Sequence, residues 1–269
     1  MKISTTHFIP LLACVCLFAL SNCTDIDLNA DSSNPASIEG LSGEFSRTLI
    51  VDNYLYAVDQ TSILTYDISN RDEPQKIGKT EVGLALETVY HHEGNLFIGS
   101  RRGMYIYTIS RNGTPVQRGE FDYSSLPNVV EPCDPVVAEG NTAYASLYTG
   151  DNSADGCGRA DDLQTVVVMD VSNLDNPTLV QMHDVLTPRG LAIDNNLLFV
   201  CNNANGLTIF DVSDRENFEE VIRISDIDAW DAIAENDKLT VVGATEVIQY
   251  DYSDQDNIVE LSRLVYPNL

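Results

Sequence analysis

The chain has 269 residues, 41 of them acidic and 15 basic, for a formal net charge of -26. Such a chain repels phosphate backbones, because nucleic-acid binding rests on Lys and Arg neutralising phosphates, so nucleic acid is excluded as a partner. With 43% hydrophobic residues it still has the apolar content for a packed core, and its length suits one folded domain or at most two.

The first segment reads as an export signal. Lys2 is the only charged residue before Asp25, and Phe8 to Leu20 is almost wholly apolar. Those 13 residues fall short of the ~20 that a bilayer-spanning helix needs. The segment ends in Leu20-Ser21-Asn22-Cys23, which resembles the lipobox of bacterial lipoproteins, with Asn22 where Gly, Ala or Ser is usual. The resemblance implies a signal peptide over 1–22, lipid on Cys23, and an anchor in the outer membrane on its periplasmic or its outer surface. Residues 23–42 are rich in Asp, Asn, Ser and Gly without a sustained period, and are expected to form an acidic flexible tether.

From residue 43 to 269 the chain is repetitive. A tetrad of an aromatic residue or Met, then Asp or Thr, a β-branched or aromatic residue, and Ser occurs five times: Tyr66 to Ser69, Tyr107 to Ser110, Met169 to Ser172, Phe210 to Ser213 and Tyr250 to Ser253. Successive tetrads are 41, 62, 41 and 40 residues apart, and Pro74, Pro115, Pro177, Phe218 and Ile258 stand five residues beyond each Ser. Within the first unit, Leu49–Val51, Tyr54–Val58, Ile63–Ile68 and Lys76–Thr80 are runs of strand length separated by polar turn residues, with no helical period. Four short strands per ~41 residues predict an all-β, five-bladed β-propeller with four antiparallel strands in each blade. Because the last unit has all four strands, from Trp230 through Val265, two closures are open: five complete blades, or an added edge strand from Ile38 to Glu44.

Leu49-Ile50-Val51-Asp52 and Leu191-Ala192-Ile193-Asp194 resemble the namesake pattern of LVIVD-repeat propellers, a family of exported bacterial proteins. The resemblance covers about Phe45 to Leu269 and implies a propeller at the cell surface or in the envelope. It implies no particular reaction and no catalytic residue.

With strands a to d running outward from the central channel, the b-to-c loops and the d-to-a links share one face, the channel mouth. That order brings Arg47, Glu87, Asp134, Arg189, Trp230 and Asp231 to the mouth on the links, and Arg101, Arg102 and Arg159 on the loops. The arginines together with Trp230 are the candidate ligand-binding residues, since guanidinium groups grip anionic or hydroxyl-rich ligands through bidentate bonds. The competing reading is that these charges pair with one another to close the mouth. Trp230 either stacks on a sugar ring or wedges between blades.

The longer second interval holds two extra segments, Tyr123 to Pro132 and an insertion about 149–164, both on the mouth face. Cys133 and Cys157 are expected to form a disulfide that pins the insertion, as suits an exported protein. Cys201, at the end of Leu198-Phe199-Val200, is expected to be a small buried hydrophobe. Asp151, Ser153, Asp155 and Asp162 occupy positions 1, 3, 5 and 12 of a calcium-type loop with Gly156 at 6. The bland reading of that segment is a polar loop held by the disulfide, and no other cofactor is expected. His91 and His92 fall on the opposite face and His183 on an outer strand, so no histidine cluster forms at the mouth.

Three function classes follow. The leading one is a non-catalytic surface lipoprotein whose mouth binds an envelope protein or a glycan. The second is a carbohydrate-active enzyme in which Glu87 with Asp134 or Asp231 supplies the acid and base. The third is a purely structural envelope component, in which substitution of Arg101, Arg102 and Trp230 would change nothing.

Overall fold

A computed structural model of the chain describes residues 47–127, 129, 135–149 and 163–266. The expected signal, lipidation site and tether, Cys133, Asp134, Cys157, Arg159 and the four calcium-loop residues lie outside the described residues. The chain divides into two units, Met1–Ala36 and Ser37–Leu269, and everything described here belongs to the second.

Twenty strands form five four-stranded antiparallel sheets, each taken in chain order, arranged as a β-propeller. Blade 1 contains β1 (Thr48–Val51), β2 (Tyr54–Val58), β3 (Ser62–Asp67) and β4 (Gln75–Glu81). Blade 2 contains β5 (Leu86–His92), β6 (Asn95–Ser100), β7 (Gly103–Ile109) and β8 (Pro115–Asp122), followed by a single 3-10 turn at Tyr123–Ser125. Blade 3 contains β9 (Val136–Glu139), β10 (Thr142–Tyr148), β11 (Gln164–Asp170) and β12 (Thr178–Asp184). Blade 4 contains β13 (Leu191–Asp194), β14 (Leu197–Cys201), β15 (Leu207–Asp211) and β16 (Glu219–Ile224). Blade 5 contains β17 (Asp231–Glu235), β18 (Lys238–Val242), β19 (Glu246–Asp251) and β20 (Val259–Val265). The leading strands β1, β5, β9, β13 and β17 are innermost and adjoin one another from blade to blade through β17.

The repeated tetrad is a device for ending strand c and turning into strand d. In blades 1, 3, 4 and 5 its carboxylate, on Asp67, Asp170, Asp211 or Asp251, accepts the backbone N–H of the Ser two residues on. The Ser hydroxyl donates to the same oxygen in Ser69, Ser172 and Ser253. The third tetrad residue donates its N–H to the tip of the a-to-b turn at 2.8–3.0 Å in every blade: Ile68 to Asn53, Ile109 to Gly94, Val171 to Asn141, Val212 to Asn196 and Tyr252 to Asp237. Those tips are two-residue turns whose positive φ values, as at Asn195 and Asn196 or Asn236 and Asp237, account for their Asn, Asp and Gly content. A register shift between strands c and d just before each tetrad bends every blade at the same place.

The same bonds set an acid limit on stability. Hydrogen bonds from the Ser172 hydroxyl and backbone, and from Arg215, hold the Asp170 carboxyl down at about 2. Asp67 and Asp211 are lowered chiefly by the hydroxyls of Ser69 and Ser213, and Asp251 chiefly by Lys238. Because the folded values lie below the unfolded ones, this stabilisation is complete above about pH 4–5 and is lost as pH falls toward about 2. Acid unfolding followed by circular dichroism is therefore expected to separate the protein from its Ser69→Ala, Ser172→Ala variant at neutral pH. The gap should shrink as pH falls from about 4 to 2; a gap that stays constant with pH refutes the assignment.

Four apolar clusters hold neighbouring blades together. Tyr56, Ile63, Leu96 and Ile98 join blades 1 and 2, and Phe97, Ile106, Ala145 and Val167 join blades 2 and 3. Val166, Val168, Leu198 and Phe210 join blades 3 and 4, and Phe199, Ile209, Leu239 and Ile248 join blades 4 and 5. Cys201 is buried in the last of these, as a small hydrophobe would be. Alternate residues along one strand serve opposite seams, Phe97 against Ile98 and Leu198 against Phe199, so the period of 2 is what locks the ring.

Candidate functional site

The b-to-c loops and d-to-a links do share a face, and they are bonded to each other there. Val82 and Gly83 donate to the Thr61 carbonyl, Arg101 donates to Ala85, and Asn203 and Ala229 exchange both backbone bonds. Among the described residues the mouth is therefore edged by paired backbone at blades 1, 2 and 4, on which the candidate side chains stand.

Arg101 and Glu87 are brought together: Nε donates to Oε1 at 2.8 Å, and both side chains are half-buried. Part of the expected charge pairing at the mouth is thus present. Arg102, next to it, is exposed and makes no ion pair among the described residues, and the same holds for Arg47 at the start of β1. By contrast Arg118, Arg215, Arg223 and Arg263, away from the mouth, are all tied to carboxylates. Arg101 and Arg102 also border a cleft of about 490 Å³ lined by Tyr105, Glu120, Asp122 and Tyr123. Burial, and then Glu120, raises the pKa of the Tyr105 phenol, so it remains a hydrogen-bond donor at neutral pH.

Across the mouth, Arg189 lies over the ring of Tyr148 with its guanidinium carbon 4.0 Å from the centroid. The link before it is strained: Thr187 has φ 44°, a left-handed value that a β-branched residue rarely adopts. Three bonds hold it there. Its N–H donates to Gln164 Oε1 at 2.7 Å, its hydroxyl donates to the Asn202 carbonyl at 2.8 Å, and Asn205 Nδ2 donates to that hydroxyl at 2.9 Å. Strain held this firmly is typical of a functional surface.

Trp230 does not wedge between blades. It is 50% exposed. Its backbone is fixed on both sides, the N–H donating to Val242 and the carbonyl accepting from Gly190, so the link leaves the indole on the outside. The ring N–H donates to Asp228 Oδ1 at 2.8 Å, and the other oxygen of Asp228 accepts Ala244 N–H at 2.9 Å. The result is a large aromatic face presented to solvent at little entropic cost. Asp231, the next residue, is half-buried and accepts Ala232 N–H through Oδ1. Sequence order alone had not singled out Asp228, the residue that orients the indole.

His183 is packed against Phe210 and Phe218 on the outer side of blade 3, and burial lowers its pKa. Among the described residues no group of three or more His, Cys, Asp or Glu is placed to hold a metal ion.

The LVIVD repeat family model matches residues 42–81, 160–185 and 188–226, which fall in blades 1, 3 and 4. The chain carries LVIVD repeats. The blade 2 tetrad, left unmatched, has Thr108 where the carboxylate stands elsewhere, and its hydroxyl donates to Asn95 instead. No protein of curated function matches the LVIVD propeller in sequence.

Solved structures share its fold. One is a protein of unknown function from Desulfotomaculum acetoxidans, at 10% identity and a TM-score of 0.62 over 82% of this chain and 70% of that one. The periplasmic gluconolactonase PpgL of Pseudomonas aeruginosa matches at 13% identity and a TM-score of 0.58, over 81% of this chain and 68% of that one. AztD of Citrobacter koseri, in its apo form, matches at 11% and 0.56, over 84% of this chain and 61% of its own length. The LVIVD propeller thus spans less than two thirds of AztD. At these identities the likeness is one of fold alone.

Proposed function

We propose that the protein is a non-catalytic binding module of the cell envelope, anchored in the outer membrane by lipid on Cys23, whose mouth face docks an envelope glycan or protein. The observation that carries this reading is Trp230: an exposed indole held by Asp228 and by two backbone bonds, on the same face as the exposed Arg47 and Arg102. Rigid aromatic surface beside arginine is the composition of binding hot spots, in glycan and protein recognition alike. On a chain of net charge -26, cations without ion pairs draw an anionic or hydroxyl-rich partner to this face rather than to the acidic remainder. The apolar run before Cys23 supports export and anchoring.

A hydrolase reading asks Glu87 to exchange protons with a substrate. Its Oε1 accepts Arg101 Nε–H at 2.8 Å, so that oxygen is held by the arginine rather than turned to a substrate. The fold likeness to a gluconolactonase supplies no matching residue.

The test is a screen of envelope glycans and proteins against the protein, its Trp230→Ala variant and its Arg47→Ala, Arg102→Ala variant. A weakening of at least tenfold in each variant is expected, in line with ~2 kcal/mol for an aromatic hot spot. Equal binding by all three discards this face. Turnover of a glycan or lactone that vanishes in Glu87→Gln would replace the binding reading with the catalytic one.

A further inference from the structure

The cleft of about 490 Å³ beside Arg101 and Arg102 is formed at the mouth end of the β7–β8 hairpin. Register decides which side chains meet there. Tyr105 stands opposite Glu120 and Gly103 opposite Asp122, so Tyr105, Glu120 and Asp122 leave the hairpin on one side. That side faces blade 1, because Tyr105 packs on the cluster joining blades 1 and 2. Gly83, on the link out of β4, makes room for the phenol: a Cβ there would come within 2.9 Å of its hydroxyl oxygen. The phenol also feels each charge of the cleft. After burial, Glu120 and more weakly Asp122 raise its pKa, while a hydrogen bond with Ser100 and the charge of Arg102 lower it. Tyr107, in the same cluster, is 1% exposed, and its hydroxyl has no hydrogen-bond partner among the described residues. Burial, then Tyr105 and Glu120, push its pKa up to about 12. This side of blade 2 holds more polar capacity than the described residues fill.

The charges in this cleft are of opposite sign and do not neutralise one another. Arg102 is exposed and makes no ion pair among the described residues, although Glu120 and Asp122 line the same cleft. Glu120 is exposed and likewise has no hydrogen bond or ion pair among the described residues. Asp122 accepts Ser124 N–H through Oδ1 at 2.8 Å, which leaves Oδ2 open. On the same hairpin Arg118 reaches Asp175 at 2.7 Å, so an arginine of β8 does take a carboxylate where one is in reach. The backbone of Arg102 is fixed on both sides, its N–H donating to Ser100 Oγ at 3.1 Å and its carbonyl accepting Tyr123 N–H at 2.9 Å. A cation and two carboxylates held apart in one cleft match a ligand that carries both charges, since each of its ends completes a charge-assisted bond. A plain anion would meet the carboxylates there, and a plain cation the guanidinium.

We infer that this cleft binds a small zwitterion, a free amino acid or a short peptide, with its ammonium on Glu120 and Asp122, its carboxylate on the Arg102 guanidinium and its body against Tyr105. A space of about 490 Å³ lies in the range of small-ligand sites and accommodates a side chain besides the two charged groups. The inference goes beyond the docking of a glycan or protein at Trp230. Only Arg102 is common to the two, and Tyr105, Glu120 and Asp122 belong to the cleft alone.

Titration of the complete purified protein with the free L-amino acids, one at a time, and with L-alanyl-L-alanine is the test, read by calorimetry or ligand-observed NMR; the two kinds of probe separate the two sources. At least one is expected to bind with a Kd below about 1 mM. For the tightest of them, N-acetylation and conversion of the carboxylate to an amide should each weaken binding at least tenfold, as should Arg102→Ala and Glu120→Gln. N-acetylation should cost less in Glu120→Gln than in the wild-type protein, because two changes to one contact are not additive. Arg111→Ala, between β7 and β8 at the far end of the hairpin, removes the same charge as Arg102→Ala and should bind as the wild type does. Failure of every probe to bind at about 10 mM overturns the inference. So does equal binding of the acetylated or the amidated ligand, which would make the cleft a site for a plain anion or cation, and so does an undiminished cost of acetylation in Glu120→Gln. The docking screen reads Trp230, which does not line this cleft, so the two readings fail separately.

Discussion

Phe199→Ala is expected to lower stability by about 3–5 kcal/mol, read as a fall in the urea midpoint at unchanged slope or a drop in Tm of about 10 °C. Phe199 is fully buried at the centre of β14. It reaches into the seam between blades 4 and 5, where its ring lies 5.0 Å from that of Tyr252 and belongs to the cluster that holds Ile209, Leu239 and Ile248. Removing the ring takes away the apolar transfer energy of a large side chain and leaves a cavity, because strands tied by ladders on both sides relax little. Ile50→Ala, on the half-covered face of blade 1, is expected to cost under about 1 kcal/mol, since part of that side chain is already in water. Near-equal losses at the two sites would mean that the seams do not bear the load assigned to them here.

The blades were legible because their signals are local. The first unit was expected to hold strands at Leu49–Val51, Tyr54–Val58, Ile63–Ile68 and Lys76–Thr80, and the strands lie at Thr48–Val51, Tyr54–Val58, Ser62–Asp67 and Gln75–Glu81. Asp67 and Ser69 mark the strand end because they bond within two residues of each other, a distance that sequence spacing reports faithfully. Face assignment was legible for the same reason, since antiparallel order fixes which loops share an end.

Side-chain choices at the mouth were not legible in that way. Nothing in the spacing of Glu87 and Arg101 says that this arginine pairs while Arg102 points away, because the answer depends on which side of strands β5 and β6 each residue leaves. Trp230 was open between a wedge and a platform until the backbone bonds to Val242 and Gly190 fixed the direction of its link. The one signal in reach was Asp228, an acceptor two residues before an indole donor, a spacing that favours a local bond outside the core.

Gly206→Ala is expected to destabilise the protein by about 3 kcal/mol or more and to weaken binding at the mouth. Gly206 closes the b-to-c loop of blade 4 with φ +85°, where an L side chain is strained by roughly 1–2 kcal/mol. The added methyl would run into the carbonyl oxygen of Ile224, and backbone at the end of a paired strand cannot move aside cheaply. Overpacking of this kind adds about 1–3 kcal/mol. The strain propagates along named bonds. Gly206 accepts Asn202 N–H through its carbonyl, Asn202 accepts the Thr187 hydroxyl, and Asn203 pairs with Ala229 beside Trp230. A shift of the loop therefore loosens both the strained link before Arg189 and the link that presents the indole. Gly140→Ala is the matched control: its φ of +54° carries comparable strain, but no atom lies within 4 Å of the new methyl, and it sits on the face opposite the mouth. It should lose only about 1 kcal/mol and leave binding unchanged. Should Gly206→Ala match that control in both readouts, the paired backbone would not be transmitting strain, and the rigidity assigned to Thr187 and Trp230 would have to come from elsewhere.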